Sequence, residues 1–171
     1  LISLVKAHFP TASLLTGAAS YHEFSPNEPK TVTARNFGNS DGFYDSYNTA
    51  IYSDTAKNYT LYHKSKLVPG VERMPYPGFF KYFEKYAIAL GGTSGSLATQ
   101  KERTVFEDKN LNAKLAPCIC YESVYGDFMS EYIRKGAQVI AIITNDGWWD
   151  DTPGHRQHLA YAKLRAIETR K

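Results

Sequence analysis

The stretch that most constrains the fold runs from residue 115 to 145: "LAPCIC", "YESVYG", "DFMSEYIRKGA" and "QVIAIITN" in succession. "QVIAIITN" is a continuous apolar run, the pattern of a strand buried on both faces, as in parallel sheets. "LAPCIC" reads as the strand before it. Between them Phe128, Met129, Tyr132 and Ile133 share one helical face, and Gly136 stands where a helix would stop. Strand, helix, strand implies a right-handed crossover and a sheet covered by helices, an α/β arrangement. After the loop "DGWWDDTPG" a further helix is expected over "HRQHLAYAKLRAIETRK", with Ala160, Leu164 and Ile167 on one stripe.

Upstream the signals are shorter. "SLLTGAASY" (13–21) reads as a buried strand, and the polar stretch 22–43 as a loop or weak hairpin. "YNTAIYSD" (47–54) and "YTLYHKS" (59–65) alternate and flank "TAKN", which predicts two antiparallel strands. "KLVPGVERMPYPG" (66–78) is an irregular connection. A short helix is expected over 79–87, a small-residue strand over 88–96, and a strand pair from "RTVFED" and "AKLAPCIC".

At 171 residues the chain suits one domain with a real core. Its net charge of +3 is small, and its basic residues form no run or aromatic-interleaved stripe. Nucleic acid is therefore excluded as a partner. No stretch reaches the ~20 apolar residues that span a bilayer, and the start, "LISLVKAHFP", has neither the basic flank nor the cleavage site of a signal peptide. The chain begins inside an apolar segment without Met and stops inside a helical pattern, so it reads as a soluble piece of something longer. Two cysteines make no disulfide framework, and Cys118 and Cys120 lie too close along a strand to bridge without strain.

In open α/β sheets ligands bind beyond the carboxyl ends of strands. Cys120 and Asn145 end consecutive strands and should face one rim. A thiol beside a helix N-terminus has its thiolate favoured by the amide dipoles, yet a free cysteine is also among the most buried residue types. Cys120 is thus a candidate nucleophile or a packing residue, and Cys118 reads as core. Lys64 and Glu72, alone, read as ordinary solvated surface groups.

Taken in order, "YHKSKLVPGVE", "CICYESVYGDF", "ITNDGWWDDTPGHRQH" and "AKLRAIETR" resemble the nitrilase, or carbon–nitrogen hydrolase, superfamily, and within it the catalytic domain of the apolipoprotein N-acyltransferases. The resemblance runs from about Ser13 to the end and implies a nitrilase-like four-layer α-β-β-α sandwich, incomplete, with residues 1–171 as a single partial domain. Terminal strands and flanking membrane helices of the family are expected to lie outside it.

By that resemblance Cys120 is the nucleophile and Lys64 the lysine that stabilises the charged intermediate. Glu72 and Glu122 match the family's two accessory carboxylates, and the Tyr121 N–H is the second oxyanion donor. Trp148, Trp149 and Asn145 lie where the substrate pocket is lined. The implied reaction is transfer of an acyl chain from a phospholipid, through a Cys120 thioester, to the N-terminal amine of a diacylglyceryl-cysteine lipoprotein. The implied setting is a periplasmic domain of a bacterial inner-membrane protein that meets the membrane surface through its full-length form. No metal or organic cofactor is implied. The i, i+3 histidines of "HRQH" have no acidic or thiol ligand beside them in sequence, and His158 matches a family "QH" pair with a structural hydrogen-bonding role.

Two departures stand out. The family's general-base glutamate sits in an upstream "P-E-[ST]-A"-like segment that this chain lacks, and neither Glu23 nor Glu28 matches it. The piece is therefore expected to be inactive or nearly so, by about 10²-fold or more, and its missing strands to leave open sheet edges. Lys66 stands where the superfamily often has His. A soluble amide or nitrile hydrolase of the same superfamily and a non-catalytic binding domain are the alternative readings.

Overall fold

The computed structural model describes residues 2–38, 41–56, 58–73 and 96–171. After a short helix α1 (Ile2–His8) come β1 (Leu14–Glu23), β2 (Arg35–Asn36), β3 (Phe43–Ser53) and β4 (Tyr59–His63). These four form one antiparallel sheet in which β3 is central, paired with β1 along one edge and with β2 and β4 along the other. The second sheet has the order β5 (Phe106–Asp108), β6 (Ala113–Ile119), β7 (Val139–Ile143). Its β5–β6 pair is antiparallel and its β6–β7 pair parallel. Helix α2 (Gly126–Arg134) makes the crossover, and α3 (Gly154–Thr169) follows β7.

The elements follow their residues. Alternation along β3 sends Ala50 and Tyr52 inward and Thr49 and Ser53 to the other face. The strand starts at Phe43 rather than Tyr47, because pairing with β1 and β2 carries the ladder four residues further back. Helix α2 buries Phe128, Met129 and Tyr132. It ends as expected: Gly136 has φ 88°, its N–H donates to the Ile133 carbonyl, and the Ala137 N–H donates to that of Tyr132. This closes the last turn with the residue type for which positive φ costs least.

The sheets face one another. The rings of Tyr52 and Phe106 stack at 5.6 Å, a pair that adds about 0.5–1.5 kcal/mol to its area burial. Further along, Gly17 lies so close to Ile143 that a Cβ would come within 2.8 Å of its methyl. Helix α2 packs against β6, whose Ala116 and Cys118 are fully buried, and α3 packs against α2 and against the turns that follow β6 and β7. Two facing sheets with helices against the second constitute most of an α-β-β-α sandwich. The helix expected over 79–87 and the strand over 88–96 lie outside the described residues.

Three expectations are corrected. The strand read as buried over 13–21 is β1, which has no fully buried residue and is exposed over most of its second half. The run "QVIAIITN" is not buried on both faces. Among the described residues no strand pairs with the outer edge of β7, Val139 is 47% exposed, and the rest of β7 is half-buried. In α3 the stripe of Ala160, Leu164 and Ile167 faces outward, with Ile167 77% exposed. The inward face instead carries His158, which bonds the Cys120 carbonyl on the turn after β6, and the buried Arg165, which lies against Gly126 at the start of α2.

Candidate active site

Lys64 is the first residue past β4. Its N–H donates to the Asn48 carbonyl at 2.8 Å and prolongs the ladder. Its side chain is fully buried, and the ammonium donates to both oxygens of Glu72 at 2.8 and 2.7 Å. The chain between them folds back sharply. Gly70 has φ 82°, and the N–H groups of Glu72 and Arg73 donate to the Val68 carbonyl. The Glu72 carboxylate also accepts from Asn48 Nδ2 at 2.5 Å and from the Val68 N–H at 2.7 Å. An isolated buried ammonium costs several kcal/mol, and this pairing offsets that cost.

Cys120 follows β6 and opens a 3₁₀ turn, Cys120–Val124. Its φ of 52° is left-handed, a conformation that costs a residue with a Cβ about 1–2 kcal/mol. Two hydrogen bonds to its carbonyl offset that cost, from Ser123 Oγ and from His158 Nε2, both at 3.0 Å, at about 0.5–1.5 kcal/mol each. The Nδ1 of His158 meets Asp146 Oδ1 at 2.9 Å, and Thr144 Oγ1 donates to that same oxygen. Cys120 is half-buried, whereas Cys118 is fully buried and its thiol is pushed up by burial. The two neighbouring thiols thus have opposite characters, one accessible at the head of a turn and one inert in the core.

Glu122 is fully buried and joins the two halves of the site. Its Oε1 accepts from the N–H groups of Ser65 (2.6 Å) and Lys66 (3.1 Å) and from the Tyr62 hydroxyl (2.7 Å), while Oε2 accepts from the Ile119 N–H (2.8 Å). Burial raises its carboxyl above the ordinary value, against the opposing pull of these donors. Burial also raises the Tyr62 and Tyr132 phenols, so Tyr62 is a neutral donor at this point. One carboxylate therefore fixes the residue after Lys64 and the residue before Cys120.

The other sequence-selected residues lie around this core. Tyr121 is half-buried, its ring edge-on to Tyr125 at 5.5 Å, and the Lys66 ammonium lies 5.8 Å over the Tyr125 ring. Asn145 caps a second 3₁₀ turn, Asp146–Trp149, by accepting from the Gly147 N–H at 3.2 Å. Trp149 lays its indole on Gly154 at the start of α3. The side chain of Trp148 lies outside the described residues. Among the described residues no trio of His, Cys, Asp or Glu is arranged to hold a metal. Sequence reasoning missed Asn48, Ser123 and Asp146. Ser123 carried a faint signal, three residues after Cys120 at the spacing of a hydroxyl that bonds back to a turn carbonyl.

The chain belongs to the carbon-nitrogen hydrolase family, whose model matches residues 26–171. Among its curated relatives are apolipoprotein N-acyltransferases. That of Chlorobaculum tepidum is 33% identical over 162 residues, covering 92% of this chain and 30% of the relative. That of Aquifex aeolicus is 32% identical over 141 residues, covering 77% of this chain and 28% of the relative. The chain thus spans less than a third of the length of these relatives. A mutant of the Nesterenkonia AN1 amidase from the nitrilase superfamily shares the fold, with a TM-score of 0.54 over 96% of this chain and 46% of that one, at 14% identity. No helix among the described residues is long and apolar enough to cross a membrane.

Proposed function

We propose that residues 1–171 are part of the catalytic domain of a bacterial apolipoprotein N-acyltransferase, with Cys120 as its nucleophile. The observation that carries the reading is the pairing of a fully buried Lys64, ion-paired to a half-buried Glu72, with a left-handed cysteine, the strand ends that carry the two being joined by one carboxylate, Glu122. The names of the curated relatives supply the substrate class. The Cys120 thiolate attacks the ester carbonyl of a phospholipid. The oxyanion forms against the Lys64 ammonium and the Tyr121 N–H. The C–O bond breaks, the lysophospholipid alkoxide takes the proton that the Cys120 thiol gave up on ionising, and a thioester is left on Cys120. The free α-amine of a diacylglyceryl-cysteine then attacks the thioester, the C–S bond breaks, and the amide product leaves the thiol restored. Glu72 holds the Lys64 ammonium where the oxyanion develops. Asn145 and Trp149 are assigned to the rim on the acyl side, and the family resemblance adds Trp148 to the same pocket. The full-length enzyme works at the periplasmic face of the inner membrane.

The test is acylation of the 171-residue chain by an activated ester, p-nitrophenyl butyrate, read by intact mass beside a Cys120→Ser control, with ammonia release from simple amides and nitriles measured in parallel. A slow acyl adduct that needs Cys120, is slowed further by Lys64→Met and comes without ammonia release is the expected result, because an activated ester expels its leaving group without the proton transfer that the absent general base would supply. Ammonia release without an adduct would instead place the chain among the amide and nitrile hydrolases.

A further inference from the structure

Two side chains outside the expected machinery meet at one atom, the carbonyl oxygen of Cys120, and a third holds one of them in place. Ser123 Oγ donates to it at 3.0 Å, and His158 Nε2 lies at 3.0 Å from it and 3.2 Å from Ser123 Oγ. Asp146 Oδ1 holds the far side of the imidazole at 2.9 Å. The His158 side chain is 8% exposed and that of Asp146 26%. Each ring nitrogen of His158 faces an oxygen, the Cys120 carbonyl at Nε2 and the Asp146 carboxylate at Nδ1. The trio spans three elements: the turn after β6, the turn after β7, and α3.

A trans peptide is planar, with its C=O and the following N–H pointing in opposite directions. A grip on the Cys120 carbonyl therefore also fixes the Tyr121 N–H, and aims it away from α3. The leading N–H groups of such a turn have no partner within it, so this one is available to a ligand. We propose that His158, Ser123 and Asp146 are positioning residues that orient the Cys120–Tyr121 peptide, so that its N–H serves as an oxyanion donor. The proposal rests on Cys120 being the acylated nucleophile. It adds that α3 and the β7 turn act on the reaction without touching substrate.

A purely structural role would damage every reaction of Cys120 alike, and the proposed role would not. Alkylation by iodoacetamide displaces iodide at a saturated carbon and forms no oxyanion. Acylation by p-nitrophenyl butyrate forms one. Both rates are measured by intact mass on the wild-type chain and on Ser123→Ala, His158→Ala and His158→Gln. Cys118 serves as an internal folding check, because it is buried and becomes alkylated only on unfolding. Acylation is expected to fall about tenfold or more in Ser123→Ala and His158→Ala, with alkylation changed by less than about twofold. His158→Gln, which returns an N–H donor, should recover part of the loss. Equal losses in both reactions, or no loss in either, would overturn the proposal and leave Cys120 as nucleophile intact. If His158→Ala exposes Cys118, Ser123→Ala, which deletes one oxygen, decides alone. A wild-type chain that is alkylated at Cys120 but never acylated there would overturn the nucleophile reading as well.

Discussion

The ion pair beneath the site makes a quantitative test of how the two sheets are held. In Glu72→Gln the shape at position 72 is kept and the negative charge is lost. Lys64 is fully buried and its ammonium donates to both Glu72 oxygens. Removing one partner of a buried pair leaves an uncompensated charge, at about 3–5 kcal/mol. Glu72 also accepts from Asn48 Nδ2 and the Val68 N–H, and an amide that turns its NH₂ toward either adds a donor facing a donor. For a chain of this size each kcal/mol moves the melting temperature about 2–4 °C, so a fall of roughly 6–20 °C is expected by circular dichroism. The stronger prediction concerns the double variant. Lys64→Met with Glu72→Gln removes both charges and should melt above Glu72→Gln alone, because the orphaned ammonium is gone. A coupling of that sign in the double-mutant cycle is a signature of direct pairing. If Glu72→Gln melts with the wild type, or if the double variant loses the sum of the two single losses, the pair is not what keeps Lys64 buried.

Three further outcomes follow from local geometry. Because Cys120 has φ 52°, Cys120→Gly should be more stable than Cys120→Ala by about 0.5–1 kcal/mol in urea unfolding, the reverse of the usual order; an alanine variant that is the more stable of the two would contradict the strained turn. A Cβ on Gly154 would come within 2.1 Å of the Trp149 ring, so Gly154→Ala should displace the indole, shift its fluorescence emission and cost about 1–3 kcal/mol; an unchanged spectrum would show that the ring is not seated there. Burial holds His63 below its ordinary value of 6.5, with Thr49 Oγ1 against its Nδ1 at 2.8 Å. The unfolded chain therefore takes up the proton first, so stability is full above pH 6.5 and falls as pH drops toward the lowered folded value; His63→Gln should flatten that part of the melting-temperature profile, and an unaltered slope would assign it to other groups.

How far the sequence could be read depends on the range of the interactions concerned. The crossover from β6 through α2 to β7 was legible because its determinants are local: a 3.6-residue apolar face, a glycine at the stop, and strands on either side. The positions of Lys64 and Cys120 at strand ends were legible for the same reason. The exposure of β7 was not, because an apolar run looks the same whether or not a neighbour covers its edge. The orientation of α3 was misread by hydropathy. Its apolar stripe is outside, and its inward face carries the polar His158, whose bond to the Cys120 carbonyl spans 38 residues of chain. Ser123 and Asp146 are each unremarkable alone and gain meaning only where His158 from α3 meets both the Cys120 carbonyl and the turn after β7.

Glu122 shows why a buried charge is retained at such a junction. Sequence resemblance puts a carboxylate two residues after the cysteine without saying what it faces, and the structure aims it at the backbone. Three of its four donors are main-chain N–H groups, from Ser65, Lys66 and Ile119, and the fourth is the Tyr62 hydroxyl. An apolar residue of equal volume would avoid the cost of burying a charge, but it would leave those N–H groups without acceptors at about 1–3 kcal/mol apiece. Once the loop after β4 and the end of β6 converge with their donors inward, an acceptor-only side chain is the group that satisfies them all. Its bonds are directional, so they fix the lateral offset between the sheets, which stacked aromatic rings such as Tyr52 and Phe106 tolerate over a broader range. That offset is what sets Lys64 relative to Cys120. The carboxylate that costs most to bury is thus the one that makes the distance between the two candidate catalytic groups a property of the fold.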